Sequence, residues 1–194
     1  MRALPRFRVA SVLTACVLCA CALRMDAPRE LSQAELATAH AAFDVVYEVL
    51  QHPRCLNCHP AGERPLQFDT SRPHTMNVVR GEDDGGMKGM RCDGCHGRSN
   101  ASVPHLPPGV SVGWRLAPRE MAFEGLSKSE LAGMLMDRER SHMKPAQLLE
   151  HVEHDPLVKW GWDPGPGRRP VDVPHEEFAA AFRTWIDAGA PAPQ

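Results

Sequence analysis

Two five-residue motifs constrain this chain more than any other feature of its sequence. They are Cys55-Leu56-Asn57-Cys58-His59 and Cys92-Asp93-Gly94-Cys95-His96. In each motif the two thiols stand three positions apart, which places them on one face of a single helical turn. A His follows at once, and the Cys-x-x-Cys-His pattern is typical of covalent haem attachment. The motifs therefore predict two c-type haems, with His59 and His96 as the proximal iron ligands.

The four motif cysteines also fit one other interpretation. A four-thiolate zinc site would use both cysteine pairs, although the interval between the pairs is long for such a site. That interpretation leaves the matched histidines His59 and His96 without a role. Haem at both motifs is therefore the expectation, and zinc is the alternative.

Composition agrees with a cofactor-dependent core. Aromatic residues make up only 6% of the chain, whereas it contains 18 prolines. A chain with so few large side chains needs another source of buried apolar surface, and two buried porphyrins would provide it. The formal net charge of -2 argues against a general nucleic-acid binder, which would present a basic face.

Residues 1–24 are typical of a signal peptide, so we expect export to the periplasm. A segment with arginines precedes an uncharged apolar stretch over residues 9–22, which is too short to span a membrane comfortably. Within it, Leu13-Thr14-Ala15-Cys16 is similar to the lipobox of bacterial lipoproteins, and Cys21 ends a poorer match. The leader is either removed whole or leaves a membrane tether through a lipidated Cys16 or Cys21.

The remaining chain divides into a linker at residues 25–31 and a dihaem cytochrome c domain at residues 32–194. Ser32 with Glu35, and Ser127 with Glu130, have the spacing of capping boxes and predict two helix starts. Pro145 is suited to the first turn of another helix. The interval from 60 to 118 is rich in Gly, Pro and Asp, and no strand pair is evident there.

A last helix is expected from Pro174 to a stop at Gly189, with large apolar residues at helical spacing. The predicted fold class is therefore mostly α. Small helices like those of c-type cytochromes alternate with long coil segments, which wrap around two covalently bound haems.

The second axial ligand of each iron has several candidates. For the first haem, His74 is preferred and Met76 is its rival, because both follow His59 after a short loop. For the second haem, Met121 is preferred because a Pro-containing segment leads to it. His151, on an otherwise apolar helix face, competes for either iron. A Met ligand raises the reduction potential relative to a second His.

Tryptophans and arginines are expected around the porphyrins without binding iron. Indole rings stack on apolar edges, and arginines pair with carboxylates such as haem propionates. The candidates are Trp114, Trp160, Trp162, Arg115, Arg119, Arg168 and Arg169. Each arginine is equally well explained as a solvated surface residue. His52, just before Pro53, is expected to cap the chain locally or to lie near a propionate.

With these segments in view, the chain resembles the small exported proteins called isoquinoline 1-oxidoreductase subunits. The resemblance is carried by residues 53–62, 74–81, 116–118 and 155–162, and it extends from about residue 40 to the end. It implies an electron-carrying partner of a molybdenum hydroxylase. The chain has no further cysteines for iron–sulfur clusters outside its leader and motifs, so any hydroxylase activity would belong to another subunit.

The sequence thus predicts an electron-transfer protein rather than an enzyme. It would accept electrons from a periplasmic dehydrogenase or hydroxylase and pass them to components of the respiratory chain. The main alternative is a dihaem peroxidase-like enzyme, which would need one haem iron with an open sixth position.

Overall fold

The fold is known from a computed structural model that describes residues 30–193. The expectations for the leader, including lipidation of Cys16 or Cys21, lie outside this range. About 41% of the structure is helical, and the rest is long coil with two very small sheets. This composition is compatible with the predicted mostly-α class.

The helices begin and end as follows. Helix α1 is Gln33–Leu50, α2 is Pro53–Leu56, α3 is Lys128–Met136, α4 is Arg138–Ser141, α5 is Pro145–His154, α6 is Pro156–Lys159 and α7 is His175–Asp187. No helix among residues 30–193 is long and apolar enough to cross a membrane.

Local side-chain bonds explain where several of these helices start. The Ser32 hydroxyl accepts from the Glu35 amide, and the Glu35 carboxylate accepts from the Ser32 amide. Ser127 and Glu130 form the same reciprocal pair at the start of α3. Both capping boxes predicted from the sequence are therefore confirmed, since each satisfies amides that a helix start leaves free.

The apolar core is formed by α1, α3, α5 and α7, where α1 packs against α3 and α7, and α5 packs against α7. Phe43 of α1 packs against Trp185 of α7, with ring centroids 4.6 Å apart, and both side chains are fully buried. Phe178 and Phe182 extend this aromatic cluster along α7. The predicted last helix is confirmed, and it ends just before Gly189, whose φ of 84° is in the left-handed region.

The coil between α2 and α3 contains two short hairpins that the sequence analysis did not predict. Strand β1 (Leu66–Gln67) pairs with β2 (Arg72–Pro73), and β3 (Gly86–Met87) pairs with β4 (Met90–Arg91). The expectation of no strand pair was therefore wrong. Two-residue strands are too short to produce a readable alternation of apolar and polar residues.

Candidate functional site

Each Cys-x-x-Cys-His motif forms the single turn that its spacing predicts. In the first, the His59 amide donates to the Cys55 carbonyl at 3.1 Å. In the second, the His96 amide donates to the Cys92 carbonyl at 2.9 Å. Both cysteine pairs have free thiols. The two thiols and the imidazole of each motif consequently lie next to one another beside a cavity.

The first cavity, of about 310 Å³, lies between the first motif and the helical core. Its apolar wall is made by Leu148, Val152, Trp162, Phe178 and Phe182. This volume falls in the range of small-molecule and cofactor sites, about 300–1,000 Å³. The cavity is thus a partly open, largely apolar space with thiols and an imidazole at one side.

The second cavity, of about 250 Å³, lies within the coil around the second motif. Unlike the first, it is bordered by exposed apolar side chains: Phe68, Met76, Met90 and Leu106 are each more than a third exposed. It therefore lies close to the protein surface, whereas the first cavity borders the core.

The imidazole of His59 is fixed by a hydrogen bond and by an aromatic ring. Its Nδ1 lies 2.6 Å from the Met121 carbonyl oxygen, and its ring stacks on Phe123 with centroids 3.6 Å apart. Burial lowers the pKa of His59 to about 4, so the ring is neutral at pH 7. With Nδ1–H donating to the carbonyl, Nε2 is left as the acceptor that a metal requires.

His96 is held in the same way. Its Nδ1 lies 2.8 Å from the Pro108 carbonyl oxygen, and its ring stacks on Trp114 with centroids 4.7 Å apart. Burial again lowers the pKa of this histidine. The two motif histidines therefore share one arrangement, a backbone carbonyl on Nδ1 and an aromatic ring against one face.

His74 lies opposite His96 across the second cavity. The two ring centroids are 6.2 Å apart, with the planes tilted by 57°. The Nδ1 of His74 lies 2.8 Å from the Thr75 carbonyl oxygen, which again leaves Nε2 as the free nitrogen. Two imidazoles therefore border the same cavity, each held through Nδ1 by a backbone carbonyl.

Hydrogen bonds explain why His74 reaches this position. The β1–β2 hairpin reverses the chain after the first motif, and the His74 amide donates to the Pro65 carbonyl at 2.8 Å. Leu66 in turn donates to the Asn57 carbonyl. The sequence analysis assigned His74 to the first motif, but the structure places it beside the second.

Met121 is placed with the first motif rather than the second. Its carbonyl accepts from His59, and its buried side chain lines the first cavity. Met76, the rival of His74, borders the second cavity but is 70% exposed, with a left-handed φ of 60°. Neither methionine faces a motif histidine in the way that His74 does.

His151 lies in the first cavity, on α5. Its Nδ1 is 3.0 Å from a carboxylate oxygen of Asp155, and this bond holds the pKa of Asp155 below its usual range. The other Asp155 oxygen accepts from the Leu157 amide at the start of α6. A carboxylate on one nitrogen of an imidazole is the usual partner of a metal-binding histidine.

The structure adds Met143, which the sequence analysis did not consider. It lies between α4 and α5, packs against the core and lines the first cavity. A single Met in a short connection between helices carries almost no signal in the sequence. It stands beside His151 as a candidate ligand on the same side of the fold.

The three candidate tryptophans and two of the four candidate arginines line the cavities, and their contact with haem stays a prediction. Trp162 lines the first cavity, while Trp114 and Trp160 line the second and meet edge to face, with centroids 4.8 Å apart. Arg115 borders the first cavity and Arg168 the second.

The other two candidate arginines belong to the surface. Arg119 pairs with Glu63, and Arg169 lies 4.0 Å from Asp172; both arginines are more than half exposed. The local role proposed for His52 is confirmed, because its Nδ1 accepts from the Arg54 amide and caps α2.

Zinc is the alternative cofactor for the four motif cysteines. Among residues 30–193, no group of three or more His, Cys, Asp or Glu side chains is arranged to hold a metal ion. Burial raises the pKa of Cys55 to about 12 and of Cys58 to about 11, so both thiols are protonated at pH 7.

No protein-family model, curated protein or solved structure matches this chain. The resemblance to isoquinoline 1-oxidoreductase subunits therefore stays a prediction.

Proposed function

We propose that this chain is a dihaem c-type cytochrome that transfers electrons. The observation that carries the proposal is the His74–His96 pair, two imidazoles whose centroids are 6.2 Å apart in a cavity beside a Cys-x-x-Cys turn. A metal–imidazole bond is about 2.0–2.1 Å long, and the bound nitrogen lies about 1.1 Å from the ring centre. Two imidazoles on opposite sides of one metal ion would therefore have centroids about 6.3 Å apart.

In this proposal Cys55 and Cys58 hold the first haem through thioether bonds, with His59 on its iron. Cys92, Cys95 and His96 hold the second in the same way. A c-type haem supplies reversible one-electron chemistry at iron, at a potential set by its axial ligands and surroundings.

For the second site we propose His74 as the second axial ligand. For the first site we propose His151, because the Asp155 carboxylate orients its ring and makes Nε2 a better donor. Met143 is the other candidate in that cavity. Two histidines on each iron would favour low reduction potentials. Met143 in place of His151 would raise the reduction potential of the first haem.

The fit of haem to these cavities is supported by an unpaired buried nitrogen as well as by the ligands. Arg54 lines both cavities, and its Nε is buried and has no hydrogen-bond partner. Haem carries two propionate carboxylates, and arginine is the residue that pairs most readily with carboxylates. Apolar walls around the first motif would exclude water from the ring.

The partners are proposed from the sequence and from the border of the second cavity. Exposed apolar side chains around that opening are typical of a surface that meets another protein. We propose a periplasmic dehydrogenase or molybdenum hydroxylase as donor and the respiratory chain as acceptor, with the chain itself exported and not an enzyme.

The test is the visible spectrum of the protein expressed with the c-type haem maturation machinery. A pyridine haemochrome assay should give two covalently bound haems per chain. The Cys55→Ser and Cys58→Ser double variant should keep one haem, and the matching double variant of Cys92 and Cys95 should keep the other. A reduced-minus-oxidised spectrum without a c-type α-band would refute the proposal.

A dihaem peroxidase-like enzyme would require an iron with an open sixth position. Carbon monoxide binding to the reduced wild-type protein, and peroxide turnover, distinguish the two functions. An electron-transfer protein with both axial positions filled should bind carbon monoxide slowly or not at all and show no turnover.

A further inference from the structure

Arg54 has an unusual position, since it lies in the wall between the two cavities. Three residues line both cavities, namely Arg54, Cys58 and Leu116, and Arg54 is the charged one. Its side chain is only 2% exposed. A cation buried at this point is therefore close to both predicted cofactors.

The contacts of Arg54 leave part of its guanidinium unused. One terminal nitrogen pairs with the carboxylate of Asp69, which is 45% exposed and so partly solvated. The guanidinium carbon lies 5.7 Å from the centre of the Trp160 ring. Nε is buried and has no hydrogen-bond partner. Buried charges are normally fully paired, so this nitrogen indicates a missing anionic or acceptor group.

Neighbouring residues hold Arg54 in place. Its amide is bonded to His52, and Trp160 beneath it donates from its indole nitrogen to Asn100 at 3.0 Å. The side chain therefore has little freedom to move its charge away from the shared wall.

We propose that Arg54 is a shared anion-binding and potential-setting residue, which pairs with a cofactor carboxylate at the wall and favours the reduced state of both haems. This inference rests on the proposed dihaem function. Reduction adds one electron at an iron and so lowers the local charge by one unit. A fixed cation stabilises that lower charge, and its effect is strong where water is excluded.

Two other arginines provide matched controls. Arg115 lines the first cavity only, and Arg168 lines the second only. Arg115→Met should lower the potential of one haem, and Arg168→Met that of the other. Arg54→Met should lower both, each by about tenfold in the reduction equilibrium constant, or ~59 mV for a one-electron centre.

Replacing Asp69 should change both haem potentials in the opposite direction to replacing Arg54. Asp69→Asn removes the negative partner and leaves the Arg54 charge in place, so both potentials should rise. This substitution is at a half-exposed position, so it keeps the test open if Arg54→Met fails to acquire haem beside Cys55. Arg54→Lys keeps the charge and should remain within a few-fold of the wild type.

The experiment is a potentiometric titration of each purified variant, followed in the α-band, with haem content measured in parallel. Parallel shifts of both haems in Arg54→Met, or the opposite shifts in Asp69→Asn, support the inference. A shift of one haem only, or of neither, in a fully loaded Arg54→Met or Asp69→Asn protein overturns it. A wild-type protein without two covalent haems overturns the proposed function instead, which separates the two failures.

Discussion

Replacing His74 tests the ligand pair on which the proposed function depends. The centroids of His74 and His96 are 6.2 Å apart. With both Nε2 atoms turned towards the shared cavity, and about 1.1 Å from nitrogen to ring centre, about 4.0 Å would separate the two nitrogens. Two metal–imidazole bonds of about 2.0–2.1 Å would span that distance. The 57° tilt is no obstacle, because two ligands on one axis can rotate about it.

We therefore expect His74→Ala to open the sixth position of the second haem and leave the first unchanged. In low-temperature EPR and near-infrared spectra, one of two low-spin bis-histidine signals should disappear. Carbon monoxide should then bind to one haem per chain. His74→Met should keep the iron six-coordinate and raise its potential, since a thioether ligand favours the reduced state.

Two neighbours serve as controls for this substitution. His105 and Met76 also line the second cavity, but neither has its ring or sulfur placed against His96 in the described contacts. His105→Ala and Met76→Ala should leave the spectrum unchanged. If His74→Ala keeps both low-spin signals and binds no carbon monoxide, or if Met76→Ala produces the loss instead, the reasoning from the ring separation is refuted.

Three further predictions concern the first site and the core. Asp155→Asn should leave the first haem attached but weaken the bond between its iron and His151. Added imidazole or cyanide, which competes with His151, should then bind about 10–100-fold more tightly in a titration. An unchanged titration would count against His151 as the ligand. Trp185→Ala should destabilise the fold by about 3–5 kcal/mol, measured by chemical denaturation, because a fully buried ring is removed from the α1–α7 contact; a loss under 1 kcal/mol would contradict the packing described. Burial lowers the pKa of His59 to about 4, below its unfolded value of about 6.5, so the unfolded state binds the additional proton between these values. A variant with serine in place of all four motif cysteines tests this without attached haem. Its stability should therefore fall as pH drops from 6.5 to 4, by up to roughly 3 kcal/mol, and a flat denaturation midpoint across that window would show that His59 is not buried as described.

Much of the local structure was readable from the sequence because it depends on residues close together in the chain. The capping boxes at Ser32 and Ser127 join atoms three residues apart, and both are present. The same is true of the turn in each Cys-x-x-Cys-His motif. The aromatic face of α7 was predictable because its residues repeat at helical spacing.

The partner of each motif was not predictable in this way. His74 follows His59 by a short loop, so proximity in the sequence favoured the first motif. The β1–β2 hairpin turns that loop back, and the His74 amide bonds to the Pro65 carbonyl instead. Two-residue strands leave no pattern from which this reversal is readable.

The role of Met121 was hidden for a related reason. Its backbone carbonyl, not its sulfur, is the group that contacts His59. Every residue except proline presents the same backbone groups, so a main-chain acceptor leaves no trace in the identity of the side chain. Arg54 was overlooked similarly, because only the folded chain puts its side chain in the wall of both cavities.

The reactive groups of this protein are evident in its sequence: two thiol pairs, each with an adjacent imidazole, held on one turn. Bonds between neighbours in the chain are enough to specify that arrangement. The distant residue near each imidazole becomes known from the folded chain, with His74 near His96, and His151 in the cavity of His59. Those pairings depend on backbone hydrogen bonds that fix the long coil segments. Such bonds cannot be read from the types of the individual residues.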